Sequence, residues 1–152
     1  MEHSPDALAG IAGMFGGLTR SDLQLASAEI EFKQHGSDPD VERIRRAIDD
    51  ALLTYHLVET EIDDETILIP GPTAFPLIPA GGDDLPHILD AKVHEIDRSV
   101  VGEQLLADLV ETMHDELSDE AREQLNQLSY DLEAWASIDA SPIRNMLDER
   151  EE

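Results

Sequence analysis

The chain has 152 residues, with 35 Asp and Glu against 10 Lys and Arg, a formal net charge of -25 and no cysteine. The lack of cysteine excludes disulfides, zinc ribbons and thiol catalysis, and Leu, Ile, Val and Phe make up about a quarter of the residues, above the roughly 20% that marks disordered chains. A compact chain this anionic repels itself, so the composition points to a salt-adapted cytoplasmic protein, because at ~1 M salt charges are screened beyond about 3 Å.

Two features support that reading. The acids run from Glu2 to Glu152 instead of gathering in a tail, and only Lys33 and Lys92 are lysine. A lysine stem spreads methylenes over the surface, which concentrated salt penalises.

The first predicted helix, about Pro5 to Phe15, starts at Ser4-Pro5, a capping side chain before a proline at the first helical position. Gly10, Gly13 and Gly16 form a row that suits a flat groove for close helix packing. No Gly-Lys-Ser/Thr follows, which argues against a phosphate loop. Ala7 to Leu18 is apolar but shorter than the ~20 residues of a membrane span. It is preceded by Glu2 and Asp6 and by no basic residue, so it does not read as a signal peptide. No membrane association is expected.

The second helix, about Ser21 to Gln34, follows Thr19 with Asp22 three residues on, a variant capping box. Leu23, Ala26 and Ile30 lie on one side; Leu25, Ala28 and Phe32 lie nearly opposite. Such a helix is expected between two neighbours. The third, about Pro39 to Tyr55, follows Asp38 as its expected cap. It carries one stripe of Val41, Ile44, Ile48, Ala51, Leu52 and Tyr55. Leu57 to Ile62 and Thr66 to Ile69 read as a β-hairpin turning at Asp63, Asp64 and Glu65.

Pro70 to Pro86 holds five prolines and three glycines, which no helix survives. Phe75, Leu77 and Ile78 within it are apolar and form the candidate contact for a protein partner. A short helical or turn segment near Pro86 to Asp90 follows. Two longer helices, about Val100 to Leu117 and Asp119 to Ala136, should pair as a helical hairpin. Ser118 and two acids open the second of these. Ser141-Pro142 opens a short last helix to about Leu147, and an acidic tail ends the chain. The expected fold is mainly α with a small β-hairpin. Its expected parts are a three-helix-plus-hairpin unit (1–75), a Pro/Gly-rich connection (76–98), and a C-terminal helical hairpin with its short last helix and tail (99–152).

The chemistry is sparse. No histidine pair has the His-Glu-x-x-His spacing of a zinc protease, and no Gly-x-Ser-x-Gly elbow is present. His87, Asp90 and His94 would share a face only if Pro86 to Ile96 were one helix; surface histidines are the simpler reading. Asp63-Asp64 and Asp83-Asp84 lack the alternation of a calcium loop. No enzyme activity, cofactor or metal is expected.

The order of three helices and a hairpin, with Tyr55-His56-Leu57-Val58 joining helix to strand, resembles a winged helix-turn-helix domain over roughly residues 5 to 75. That resemblance implies a third helix reading the major groove and a hairpin touching the backbone. Arg20, Lys33, Arg43, Arg45 and Arg46, half of all basic residues, fall in this region and are the candidate nucleic-acid contacts. Against this, Glu42-Arg46, Arg45-Asp49 and Arg46-Asp50 have the i, i+4 spacing of ion pairs within a helix. Five acids in the hairpin would also repel phosphate. As a whole, the chain resembles a family of small, acidic, uncharacterised haloarchaeal proteins. The stretches that carry this resemblance are Gly16-Gly17-Leu18-Thr19-Arg20, Pro70-Gly71-Pro72-Thr73-Ala74-Phe75-Pro76 and Tyr130-Asp131-Leu132-Glu133-Ala134-Trp135. It implies no activity.

The composition makes one direct prediction. Melting followed by circular dichroism should show Tm rising steeply from dilute buffer to ~1 M KCl, as the screening length shrinks to about 3 Å. Cooperative melting that is indifferent to KCl would contradict salt adaptation.

Overall fold

The computed structural model describes residues 4–36, 38–78, 82, 85, 93–113 and 117–150. It is mainly helical with one β-hairpin, as the spacing predicts. The chain divides into two compact units, Met1–Ile96 and Asp97–Glu152.

The first unit is built around helix α1 (Pro5–Met14). Its Ser4 hydroxyl accepts the Ala7 N–H at 3.1 Å. Ala7 through Ala12 are all buried, so this short helix is covered on every side. Alanine and glycine at most of these positions let neighbours approach closely. Helix α2 (Arg20–His35), helix α3 (Val41–Leu53) and both strands of the hairpin pack on it. Leu8, Ile11, Phe15, Leu23, Ile30, Ile44, Ile48 and Leu57 form the core between them.

Thr19 caps α2 through the Asp22 N–H, as the sequence suggests, and Gly36 ends it in the left-handed region. The cap of α3 differs from the expectation. Asp40, not Asp38, accepts the Arg43 N–H, and its own N–H donates to the Glu31 carboxylate at 3.1 Å. The stripe of α3 buries Ile44, Ile48 and Ala51, whereas Val41 is half-exposed and Tyr55 lies beyond the helix. Helix α2 is also not sandwiched. Leu23, Ala26 and Ile30 are buried, but Leu25 is 61% and Phe32 50% exposed.

Strands β1 (Leu57–Ile62) and β2 (Glu65–Pro70) pair antiparallel, with Leu57 opposite Pro70 and Ile62 opposite Glu65. The turn is two residues, Asp63 and Asp64, both at positive φ, the geometry that matches strand twist. Glu65 therefore belongs to the strand. Leu18, between α1 and α2, bridges Leu68 by two reciprocal backbone hydrogen bonds.

The glycine row of α1 receives extended chain and not a helix. A Cβ on Gly10 would overlap the Leu77 backbone, one on Gly13 would press on the Pro70 ring, and one on Gly16 would overlap the His94 carbonyl.

Among its described residues the second unit holds three helices: α4 (Arg98–Thr112), α5 (Asp119–Ala136) and α6 (Ser141–Arg150). Each packs on the other two, so the last helix completes a bundle with the expected hairpin. Asp97 and Ser118 cap α4 and α5. The Ser141 N–H is satisfied by the Asp139 carboxylate at 2.9 Å, so the acid two residues ahead opens α6. Gly102 lets α4 approach Ala136, and Leu106, Leu109, Leu128, Leu132, Ile143 and Leu147 fill the interior. Arg144 joins α6 to α5. Its guanidinium donates to both Glu133 carboxylate oxygens and to the Ser129 hydroxyl, and stacks 4.4 Å from the centre of the Tyr130 ring. Glu133 also accepts the Ala140 N–H.

Arg144, then the Ala140 N–H, holds the Glu133 carboxyl below its usual range, and hydrogen bonds from Ser141 do the same for Asp139. A carboxyl depressed in the folded state stabilises fully above the unfolded-state value of about 4, and that stability is lost as pH falls through the folded value. Trp135 fluorescence should therefore show the second unit weakening as pH falls from about 5 to about 3. Glu133→Gln should be less stable at neutral pH and lose less on acidification; an unchanged acid response would remove this assignment.

Candidate functional site

Two surfaces of the first unit carry the residues singled out in the sequence. The first is the basic face. Arg20 forms an ion pair with Asp49 and reaches the Arg45 carbonyl at 3.3 Å. Arg45 pairs with Glu42 at 3.3 Å, one turn back on α3. These replace the i, i+4 pairs expected from the spacing. Arg43 and Arg46 are exposed and form no ion pair among the described residues. Lys33 is exposed on α2. The five basic residues therefore do not act alike: two neutralise acids of α3, and Arg43 and Arg46 face solvent.

The second surface is apolar. Phe75 is 79% exposed, Leu77 58% and Ile78 56%. Residues 66–82 contain no charged side chain, in a chain where 30% of residues are charged. The backbone beneath these side chains is nonetheless fastened. The Phe75 N–H donates to the Asp6 carboxylate at 2.9 Å, and the Leu77 N–H donates to the Asp6 carbonyl at 3.0 Å. Gly10 leaves room for the Leu77 backbone to lie against α1. The segment is thus a fixed strip: main chain turned inward, three large apolar side chains turned outward.

The strip is held at its start by the corner that follows α3. The N–H of His56 reaches the Ala51 carbonyl and that of Tyr55 the Leu52 carbonyl, a Schellman closure. The residue in its left-handed position is Tyr55, at φ 62, where glycine is the usual occupant. Burial pushes the Tyr55 phenol up from its ordinary pKa. The Gly71 N–H donates to the His56 carbonyl at 2.8 Å, and the Thr73 hydroxyl to the Thr54 carbonyl at 2.8 Å. The His56 ring sits between the Thr54 hydroxyl, 2.6 Å from Nδ1, and the Asp6 carboxylate, 3.9 Å from Nε2.

The histidine set is not assembled as a helical face. His94 lies in non-helical chain, with its N–H on the Phe15 carbonyl at 2.8 Å, while His87 and Asp90 lie outside the described residues. Asp83-Asp84 and the segment Pro86 to Asp90 also fall outside them. Among the described residues, no group of three His, Asp or Glu is placed to hold a metal ion. Among the same residues, no helix is long and apolar enough to cross a membrane.

A family model matches residues 6–152. The chain belongs to DUF7109, a family of unknown function. The match covers both compact units. No curated protein and no solved structure matches the chain.

Sequence reasoning found the apolar side chains of the strip but neither Asp6 nor His56. Asp6 in the first turn of a helix reads as an ordinary complement to the dipole. Its partner at Phe75 is 69 residues away, and no local pattern encodes that.

Gly10 gives a test with a diagnostic sign. In a helix of no other consequence, Gly→Ala gains about 1 kcal/mol. Gly10→Ala should instead destabilise the protein by about 1–3 kcal/mol, seen as a lower Tm, and should loosen the amides of Phe75 and Leu77. A stabilised variant would show that the strip does not lie against α1.

Proposed function

We propose that the chain is a non-enzymatic binding or adaptor protein of a halophilic cytoplasm, and that it docks a protein partner through Phe75, Leu77 and Ile78. The observation that carries this is the fixed strip, with large apolar side chains more than half exposed over a backbone already tied to α1. A pre-ordered segment loses little conformational freedom on binding. An uncharged contact also suits brine, because it needs no Coulomb attraction that salt would screen. The partner chemistry that fits is an apolar cleft on another protein.

A second reading, DNA binding by a winged-helix-like unit, has its own support. The three helices precede the hairpin, the Leu18 bridge adds one rung to its second strand, and Arg43 and Arg46 are exposed on α3 without ion pairs among the described residues. The hairpin weighs against it, because Glu59, Glu61, Asp63, Asp64 and Glu65 would face phosphate, and phosphate contacts weaken steeply with salt. An acidic wing suits a protein partner better than a nucleic acid.

One pull-down in molar KCl, scored for protein and DNA, separates the two. The protein reading expects a partner retained by the native chain and by the Arg43→Ala/Arg46→Ala variant. That partner should be lost when Phe75, Leu77 and Ile78 are changed to serine, with affinity falling at least about tenfold, or 1.4 kcal/mol. Equal retention by the serine variant overturns it. DNA binding that vanishes with the two arginines would establish the second reading.

A further inference from the structure

We propose that the outer edge of β1 accepts an extended segment of a partner protein, one with lysine or arginine at alternate positions. None of the residues of this edge belongs to the strip of Phe75, Leu77 and Ile78, so the inference goes beyond the docking reading and does not depend on it.

The register of the hairpin decides which main-chain groups face outward. Ile62 and Glu65 flank the two-residue turn and lie opposite each other, the pair that exchanges both hydrogen bonds in such a hairpin. Bonded and non-bonded pairs alternate along an antiparallel ladder. Thr60–Ile67 and Val58–Ile69 are therefore bonded pairs, and Glu59–Leu68 and Glu61–Thr66 are not. Leu68 fixes this phase independently: its N–H and carbonyl point out of β2 and are both taken by Leu18, at 2.7 and 3.0 Å. That bridge closes the edge of β2. On β1 the matching outward groups are the N–H and C=O of Glu59 and of Glu61. Among the described residues, no backbone hydrogen bond outside the ladder involves residues 58–62, and Glu59 and Glu61 are exposed. The strand has no proline and its pairing no bulge, so of the usual devices that blunt an edge, charge is the one it carries.

That charge selects the occupant. Glu59 and Glu61 are two apart and share one face of the sheet. An added strand sets its own alternate side chains directly opposite them, where unlike charges attract and like charges repel. A second copy of β1 pairing antiparallel would set glutamate against glutamate. The edge thus excludes its own kind and favours a strand with a cation at every second position. Main-chain hydrogen bonds supply the affinity of strand addition, and side chains the choice of sequence. Hydrogen bonds act at contact and are not lost when molar salt cuts Coulomb reach to about 3 Å, so this mode of binding suits the composition of the chain.

The probe is an end-blocked peptide of about ten residues alternating lysine and threonine, with a glutamate–threonine peptide of the same length as control. Amide hydrogen exchange on the full chain in molar KCl reads strand addition directly, because a purely electrostatic association leaves the main-chain groups free. Without peptide, the Thr60 and Ile62 amides should be protected and the Glu59 and Glu61 amides should exchange freely. The lysine peptide at about 5 mM should slow Glu59 and Glu61 about threefold, as a Kd of about 2 mM gives, and leave Thr60 unchanged. The glutamate peptide should slow them by no more than about 1.5-fold. Glu59→Lys/Glu61→Lys, a change at two exposed positions, should reverse the preference, with Thr60 protection reporting that the hairpin is intact. The native chain with the two peptides is a sufficient test by itself. Glu59 and Glu61 amides already protected in the free chain, no slowing by the lysine peptide, or equal slowing by both peptides overturns the proposal. Because the probe is read at β1, the outcome is independent of whether the pull-down captures a partner at the strip.

Discussion

The first unit depends on how little side chain α1 carries. Between Ala7 and Gly13 the helix offers only Leu8 and Ile11 as large groups; the rest are alanine and glycine. That surface lets two helices, a hairpin and an extended segment all reach a helix of 10 residues. Dispersion contacts are individually small and need close approach, so the bare helix turns proximity into packing. The extended strip is the extreme case, because its backbone lies where a single methyl group would stand.

Local signals in the sequence were the most legible. Ser4, Thr19 and Ser118 cap as their neighbours suggest, because a cap needs only a side chain and an N–H two or three residues on. The shift from Asp38 to Asp40 shows the limit. Both acids flank Pro39, and a hydrogen bond from Asp40 to Glu31, nine residues back, accompanies the choice. The pattern of α2 is apolar on both sides, which suggested a neighbour on each. Periodicity does not say whether one chain covers both, and here Leu25 and Phe32 stay open. The candidate site divides in the same way. The apolar identities of Phe75, Leu77 and Ile78 were visible in sequence. Their anchoring was not, because it joins residues far apart through main-chain atoms that every residue type shares.

Charge shapes the surface more than the core. The core of the first unit is almost wholly apolar, aliphatic side chains around Phe15, while most carboxylates lie outside it, at the hairpin tip and on the exposed flank of α3. Arginine is used sparingly, often in contact with an acid or an aromatic ring: Arg20 with Asp49, Arg45 with Glu42, Arg144 with Glu133 and Tyr130, and Arg98 over Trp135. The guanidinium suits this use because it stacks and forms paired hydrogen bonds that a lysine does not reproduce. Arg43 and Arg46 depart from the pattern, which is why the basic face keeps a functional reading beside the apolar one.

Tyr55 has a consequence for cooperativity. A bulky residue held in a left-handed conformation carries about 1–2 kcal/mol of backbone cost, and it relaxes only if the last turn of α3 unwinds. The carbonyls of Thr54, Tyr55 and His56 each accept a hydrogen bond from Thr73 or Gly71. Unwinding that turn would therefore cut the root of the strip at the same moment. The end of a helix and the start of the apolar strip thus behave as a single foldon.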